Sequence, residues 1–121
     1  MSNFLTIQKF DRHFSVRGLV AVLKPDSFDG TFYKRWRARM IVWLTAMNCY
    51  HVVQRKPEQF TPQEESEFEA SDNLFRGSVI SALTNKYIDS YITCKTAKEL
   101  WNALDAKFGF SDAISELYLM D

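Results

Sequence analysis

The sequence predicts an all-α fold, a compact bundle of about five helices. Three observations lead to this prediction: apolar residues recur at helical spacing, helix-start signals precede those segments, and Gly and Pro number only four and three. The length of 121 residues and the apolar content of 46% suit one globular core. A disordered chain and a loop-rich all-β design are both disfavoured.

The first part of the chain, residues 1–27, is predicted to be an N-terminal arm, and residues 28–121 are predicted to be the helical domain. The arm contains one short apolar run, residues 19–23, which ends before Lys24 and Pro25. Five apolar residues suit either a buried strand or one helical turn, and periodicity does not choose between them.

The first long helix is predicted to begin after residue 28, with Asp29 or Thr31 as its cap. Its apolar stripe contains Tyr33, Trp36, Met40, Trp43, Leu44 and Met47. Ile41 and Val42 fall outside that stripe, so we expect this helix to make a second apolar contact, inside the domain or with another chain. The flanks and back of its first half carry the basic residues Lys34, Arg35, Arg37 and Arg39.

The second long helix has a strong start signal, because Thr61 is followed by Pro62 and Glu64 in a capping-box arrangement. Further acidic residues, Glu65, Glu67 and Glu69, suit the positive end of the helix dipole. The predicted buried face consists of Phe68, Phe75, Val79, Ala82 and Leu83. Gly77 interrupts this helix and predicts either a kink or a close backbone approach.

The last third of the chain predicts shorter helices. Tyr87, Ile88, Tyr91 and Ile92 suggest one of them. Thr96 and Glu99 form a second capping box before an apolar stripe, with Gly109 as the C-terminal cap. That stripe contains Ala97, Leu100, Trp101, Leu104 and Phe108. A final helix is expected from Ser111, with Ile114, Leu117 and Tyr118 on one face. Its short length indicates either a domain truncated at its C-terminal end or a helix that a partner completes.

The net charge of zero hides a division of the chain into two oppositely charged halves. Residues 1–56 hold ten Lys and Arg against three Asp, a net of +7, and residues 57–121 hold five against twelve, a net of −7. Such a division indicates a nucleic-acid face, a head-to-tail association, or a fold that brings the halves together.

The residues indicate no catalytic, metal or cofactor site. His13, Cys49, His51 and Cys94 do not have the spacing of a zinc site, and no glycine-rich phosphate loop is present. The acidic residues between 58 and 72 stand at a helix start, which favours a solvated face over a catalytic pair. We therefore expect neither an enzyme nor a small-molecule substrate.

The sequence also predicts no membrane partner. The longest uncharged run, residues 40–54, is shorter than the roughly 20 apolar residues of a membrane span. The N-terminus lacks a basic segment followed by an apolar core, and two cysteines are too few for a disulfide scaffold. A reducing, cytoplasmic setting is the simple interpretation. RNA is a possible partner through the basic flank of the first long helix, although a solvated helix flank explains the same residues.

Two motifs, in the same order and with similar spacing, resemble the Gag polypeptide of copia-type LTR retrotransposons. The first runs from Phe28 through Gly30 and Trp36 to Leu44, and the second runs from Thr96 to Phe108. The motif residues are Phe28, Gly30, Tyr33, Trp36, Met40, Leu44, Ala97, Leu100, Trp101, Leu104 and Phe108.

The resemblance implies a fold like the N-terminal lobe of a retroviral capsid protein, and self-assembly into virus-like particles that enclose the element's RNA. The motif residues belong to the apolar stripes, so their first role is in the core. We expect assembly or RNA contacts at less regular positions: Lys34, Arg35, Arg37, Arg39, Ile41, Val42, Glu64, Glu65, Glu67 and Glu69. The alternative is a Gag-derived module that binds RNA or a protein without building shells.

Overall fold

The computed structural model of the protein describes residue 18, residues 20–54 and residues 60–109. Over these ranges the chain is all-α, as predicted. Its helices are α1 (Tyr33–Ala46), a 3₁₀ helix (Tyr50–Val53), α2 (Pro62–Ser81), α3 (Asn85–Tyr91) and α4 (Ala97–Leu104), which continues into a π-helical turn (Asp105–Gly109). The 3₁₀ helix contacts α1, α2 and α4. The helix expected from Ser111 lies outside the described residues.

The short apolar run of the N-terminal arm is helical where it is described, at residues 20–23. The alternative of a buried strand is therefore wrong. Trp43 of α1 donates its indole Nε1–H to the backbone carbonyl of Val20 at 2.9 Å. This bond and the partial burial of Val20 and Leu23 against the core attach the turn to α1.

The start of α1 differs from the prediction. Its N-cap is Phe32, whose backbone is left-handed (φ 54°) and whose side chain makes no capping bond. Asp29 instead accepts hydrogen bonds from the backbone N–H and the hydroxyl of Thr31, at 3.0 and 2.6 Å. These bonds form an Asx turn and hold the pKa of Asp29 below its usual value. Gly30 has φ 101°, and a Cβ there would lie 2.5 Å from Tyr87 Oη, so this turn requires glycine.

A two-way backbone contact joins the segment before α1 to the link between α2 and α3. The N–H of Phe28 donates to the carbonyl of Ala82 at 2.8 Å, and the N–H of Thr84 donates to the carbonyl of Phe28 at 3.1 Å. Phe28 and Leu83 thereby form an isolated parallel bridge. Because α2 ends at Ser81, Ala82 and Leu83 are buried in this link and not on the helix face that the sequence predicted.

The core is centred on the ring of Phe28. Its centroid lies 4.7 Å from that of Phe108, 5.0 Å from that of Trp36 and 5.9 Å from that of Tyr87. The predicted burial of Trp36 and Trp101 is confirmed, since they are 6% and 4% exposed. The other motif residues are also buried except Gly30, which is half-buried.

Both predicted threonine N-caps are present. The Thr61 hydroxyl accepts the N–H of Glu64 at 3.2 Å, and the Thr96 hydroxyl accepts the N–H of Glu99 at 3.1 Å. The Glu99 carboxylate in turn accepts the N–H of Lys95. Of the two alternatives for Gly77, a close backbone approach is wrong, because a Cβ there would meet no atom within 4 Å. A kink at Gly77 stays a prediction. Gly109 is not the cap of the α-helical segment of α4, since that segment ends at Leu104.

Candidate interaction surfaces

Three exposed basic residues on α1 form what we call the basic face: Lys34, Arg35 and Arg39. Arg35 and Arg39 are one helical turn apart, so their side chains extend from the same side of α1. Trp36 between them is turned into the core, which leaves the guanidinium groups at the surface and the indole inside. This separation explains how an aromatic residue stands among four basic ones without being a stacking platform.

Arg37 does not belong to this face, although the sequence placed it in the same contact set. Its Nε and Nη2 donate to the two carboxylate oxygens of Asp105 at 2.8 and 3.1 Å, and its guanidinium lies 5.0 Å from the ring centroid of Trp101. The Tyr33 hydroxyl donates to the same carboxylate at 2.5 Å. Arg37 therefore joins α1 to the π-helical turn inside the chain.

The electrostatics of this cluster match a structural role. Burial and the hydrogen bond to Asp105 raise the pKa of Tyr33 well above its usual value, so its phenol stays protonated. The hydrogen bond to Asp105 likewise raises the pKa of Arg37. Neither group is poised to exchange a proton near neutral pH, and the cluster acts as a fixed donor–acceptor set.

A cleft of about 300 Å³ opens beside the basic face. We call it the Phe32 cleft; it is lined by Phe32, Arg35, Trp36 and Arg39, together with residues 25–29 and Thr31. Phe32 is 70% exposed, and the guanidinium carbon of Arg35 lies 5.3 Å from its ring centroid. Sequence reasoning did not single out Phe32. The available signal was a large aromatic residue standing directly before α1 and outside its apolar stripe.

The first half of α2 carries an acidic face, which we define as Glu64, Glu65, Glu67 and Glu69, and all four residues are exposed. The rings of Phe60 and Phe68 lie beside it, 5.4 Å apart and both half-buried. The face therefore combines carboxylates with partly accessible aromatic surface.

Arg35 and Arg39 of the basic face form no ion pair with the acidic face over the ranges that the structure describes. Two ion pairs found there are Arg37 with Asp105 and Arg76 with Asp72. Of these two pairs, only Arg37 with Asp105 joins a residue of the basic half of the chain to a residue of the acidic half. The apolar candidates on α1 divide as well, since Ile41 packs against the core while Val42 is 53% exposed.

The described residues hold no group of three or more His, Cys, Asp or Glu side chains that could bind a metal ion. Cys49 is buried and Cys94 is half-buried, and both are free thiols. Burial raises the pKa of Cys49 to about 11. Within the same part of the chain, none of the helices has the length and apolar character needed to cross a bilayer. His13 lies outside the described residues.

No protein-family model, curated protein or solved structure matches this chain. The resemblance to copia-type Gag polypeptides therefore rests on the motif residues, and the function has to be argued from the two charged faces.

Proposed function

We propose that this protein is a structural Gag-like capsid module, from an LTR retrotransposon or a host-domesticated copy, that self-associates head to tail in the cytoplasm to build RNA-enclosing particles. One observation carries the proposal: a basic face and an acidic face lie exposed on different helices, and within the described residues no ion pair joins Arg35 or Arg39 to the acidic face. Each molecule then offers two complementary surfaces to two neighbours. A heterologous contact of this kind repeats into rings or open lattices, which a capsid requires.

The resemblance to Gag motifs supports the same proposal from the sequence side. Exposed ion pairs contribute only about 0–1 kcal/mol each, so several must form together for the contact to hold. Arg35 and Arg39 are one helical turn apart, as are Glu65 and Glu69, so the two pairs of charges can meet together. Complementary charge also orients the encounter and disfavours basic-to-basic or acidic-to-acidic contacts between copies.

Sedimentation velocity over a range of protein and salt concentrations tests the proposal, with electron microscopy of any large species. Screening shortens from about 10 Å at 0.1 M salt to about 3 Å at 1 M, so we expect association to weaken across that range. Arg35→Glu with Arg39→Glu should weaken it at low salt, and adding Glu65→Lys with Glu69→Lys should restore it in part. Lys98→Glu, on an exposed residue of α4, is the control for a change of charge alone. A monomer at every concentration, or association unchanged by the reversals, contradicts the proposal.

The second candidate function is a Gag-derived module that binds RNA without building shells. The observation in its favour is the Arg35 guanidinium beside the exposed Phe32 ring, because a nucleobase stacks on aromatic rings while arginine meets phosphate. In this case a single-stranded RNA oligonucleotide should bind the monomer with a steep dependence on salt.

A further inference from the structure

The backbone conformation of Phe32 and the exposure of its side chain are both energetically unfavourable in an isolated molecule. A bulky residue with φ 54° lies in a region that favours glycine, and such conformations persist where the surroundings enforce them. Its side chain is also 70% exposed, so little apolar surface is buried in return. In the described part of the chain, the Arg35 guanidinium covers the ring from one direction. The fold thus presents an aromatic ring at the surface in a fixed position.

Charges alone do not make a specific interface. Surface ion pairs steer partners together, whereas most of the binding energy comes from a few desolvated anchors, which are enriched in aromatic residues and arginine. The basic face has such a centre in Phe32, with Arg35 and Arg39 beside it at the cleft. The acidic face has the matching composition, because Glu65 and Glu69 lie beside the rings of Phe60 and Phe68.

We propose that the Phe32 cleft is the apolar centre of the head-to-tail contact and receives the first turns of α2 from a second copy of this chain. This inference rests on the proposed self-association and adds which residues hold it together. The glutamates of the incoming helix meet Arg35 and Arg39, while its partly exposed phenylalanine surface covers Phe32. Asp26 and Asp29 line the same cleft and repel glutamates, so we expect the incoming acidic residues beside Arg35 and Arg39.

A helix start fits this division of charge better than an RNA strand does. Glu65 and Glu69 are one helical turn apart on α2, so both can meet Arg35 and Arg39, which have the same spacing on α1. An RNA strand carries a phosphate at each nucleotide and would bring some of them towards Asp26 or Asp29. The cleft therefore favours the second copy, and RNA becomes an outcome of the test.

The test isolates one contact by making each partner defective on one face. A variant with Arg35→Gln and Arg39→Gln keeps the acidic face, and a variant with Glu65→Gln and Glu69→Gln keeps the basic face. Each should associate weakly alone, and an equimolar mixture should form a one-to-one pair through the remaining intact faces. Their dissociation constant can be measured by analytical ultracentrifugation with one partner labelled.

Phe32→Gly is then added to the partner with the intact basic face. We expect the dissociation constant to rise about 30-fold, as for loss of an interface hot spot. The melting temperature of that partner should stay the same or rise, because glycine accepts the left-handed backbone. Phe32→Asn, which also tolerates this conformation, should behave in the same way. Ile92→Ala removes exposed apolar surface just after α3, at a residue that lines neither the Phe32 cleft nor the surface beside Glu65 and Glu69, and should leave the constant unchanged.

The outcomes separate this inference from the proposed function. If the pair forms and Phe32→Gly leaves its affinity unchanged, the cleft is not the centre of the contact, while head-to-tail association stands. If no pair or oligomer forms but a fluorescent single-stranded RNA binds and Phe32→Gly abolishes that binding, the cleft is an RNA site and both proposals are wrong. If neither RNA nor a second copy binds, both proposals are likewise wrong.

Discussion

At the scale of the residue, the cluster of Tyr33, Arg37 and Asp105 shows how one carboxylate can hold two elements of the fold together. Its oxygens accept the Tyr33 hydroxyl and two N–H groups of Arg37, although Arg37 and Asp105 are 68 positions apart. The planar guanidinium also lies over Trp101, which a lysine could not reproduce. The cluster therefore connects α1 with the end of α4 through both hydrogen bonds and ring contact.

Asp105→Ala should lower the free energy of unfolding by about 1–3 kcal/mol, because a phenol and a guanidinium lose their acceptor while remaining partly buried. Urea denaturation monitored by circular dichroism measures this change. Asp89→Ala, on the exposed side of α3, is the matched control and should change the stability by less than about 0.5 kcal/mol. Equal effects of the two substitutions would mean that the cluster contributes nothing beyond surface charge.

Cys49 should make the stability sensitive to alkaline pH. Burial raises the pKa of its thiol from 9.0 to about 11, so the unfolded chain ionises first as the pH rises. The stabilisation is complete below pH 9 and is lost between pH 9 and 11, by an amount on the order of 1 kcal/mol. Thermal unfolding at several pH values measures it, and Cys49→Ala should show a shallower decline. Parallel curves for the two proteins would assign the alkaline loss to other groups, such as Tyr33.

Residues on apolar stripes were predictable, whereas residues defined by a distant partner were not. Trp36 and Trp101 were assigned to the core from helical spacing alone, which depends on near neighbours in sequence. Arg37 has the same local pattern as Arg35 and Arg39. The different role of Arg37 depends on its contact with Asp105, and a pattern of neighbouring residues does not predict a contact between positions so far apart in the sequence.

At the scale of the element, three threonines stand at helix N-caps and differ in what they do. Thr61 and Thr96 accept a backbone N–H through their hydroxyls, whereas Thr84, the N-cap of α3, makes no side-chain capping bond. Their different bonding provides an internal comparison of capping energies within one protein.

Thr61→Ala and Thr96→Ala should each lower the free energy of unfolding by about 1 kcal/mol, since an N–H at the helix start loses its acceptor. Thr84→Ala should have a smaller effect, because no capping bond is lost. Chemical denaturation of the three variants side by side gives the comparison. An effect of Thr84→Ala as large as the other two would show that loss of threonine packing, and not capping, explains the change.

Gly77→Ala should stabilise α2. Glycine in a helix interior is about 1 kcal/mol less favourable than alanine, and the added Cβ would meet no atom within 4 Å. The melting temperature of Gly77→Ala should therefore rise. Gly30→Ala is the opposite case, because its Cβ would collide with Tyr87 and its φ is positive, so that variant should melt earlier. A fall in melting temperature for Gly77→Ala would indicate that α2 needs glycine for a bend.

The starts of α2 and α4 were predictable because the capping-box pattern spans only four consecutive residues. The start of α1 was not, because Asp29 resembles a cap in sequence but is used in the Asx turn with Thr31. The π-helical turn after Leu104 was also missed. It keeps Phe108 against Phe28 in the core, and that demand comes from packing and not from the local sequence.

At the scale of the whole molecule, the cluster of rings around Phe28 joins four separate parts of the chain. Phe28, α1, α3 and the π-helical turn all contribute rings to it. Helical periodicity predicted the all-α class, but it gave no sign of the bridge between Phe28 and Leu83, since neither residue is in a strand pattern. The two charged faces were predictable as charge runs; the lack of pairing between them required the structure.

Trp36→Ala and Trp101→Ala should each cost about 3–5 kcal/mol, which approaches the whole stability of a domain this size. We expect both variants to be unfolded or to melt far below the wild-type temperature, as measured by calorimetry. Trp36→Phe provides a milder control: it retains a ring and removes an indole N–H that is buried without a partner. A wild-type melting temperature for either alanine variant would contradict a core role for that tryptophan.

The long-range contacts of Phe28 also determine when the protein can fold during its own synthesis. Its backbone partners, Ala82 and Thr84, and its ring partner Phe108 are all translated long after it. A nascent chain that has reached only α1 contains Phe28, Tyr33 and Trp36 but lacks their later partners Tyr87 and Phe108. Folding must therefore wait until the π-helical turn has left the ribosome, and chaperones have that interval in which to hold the emerging basic half.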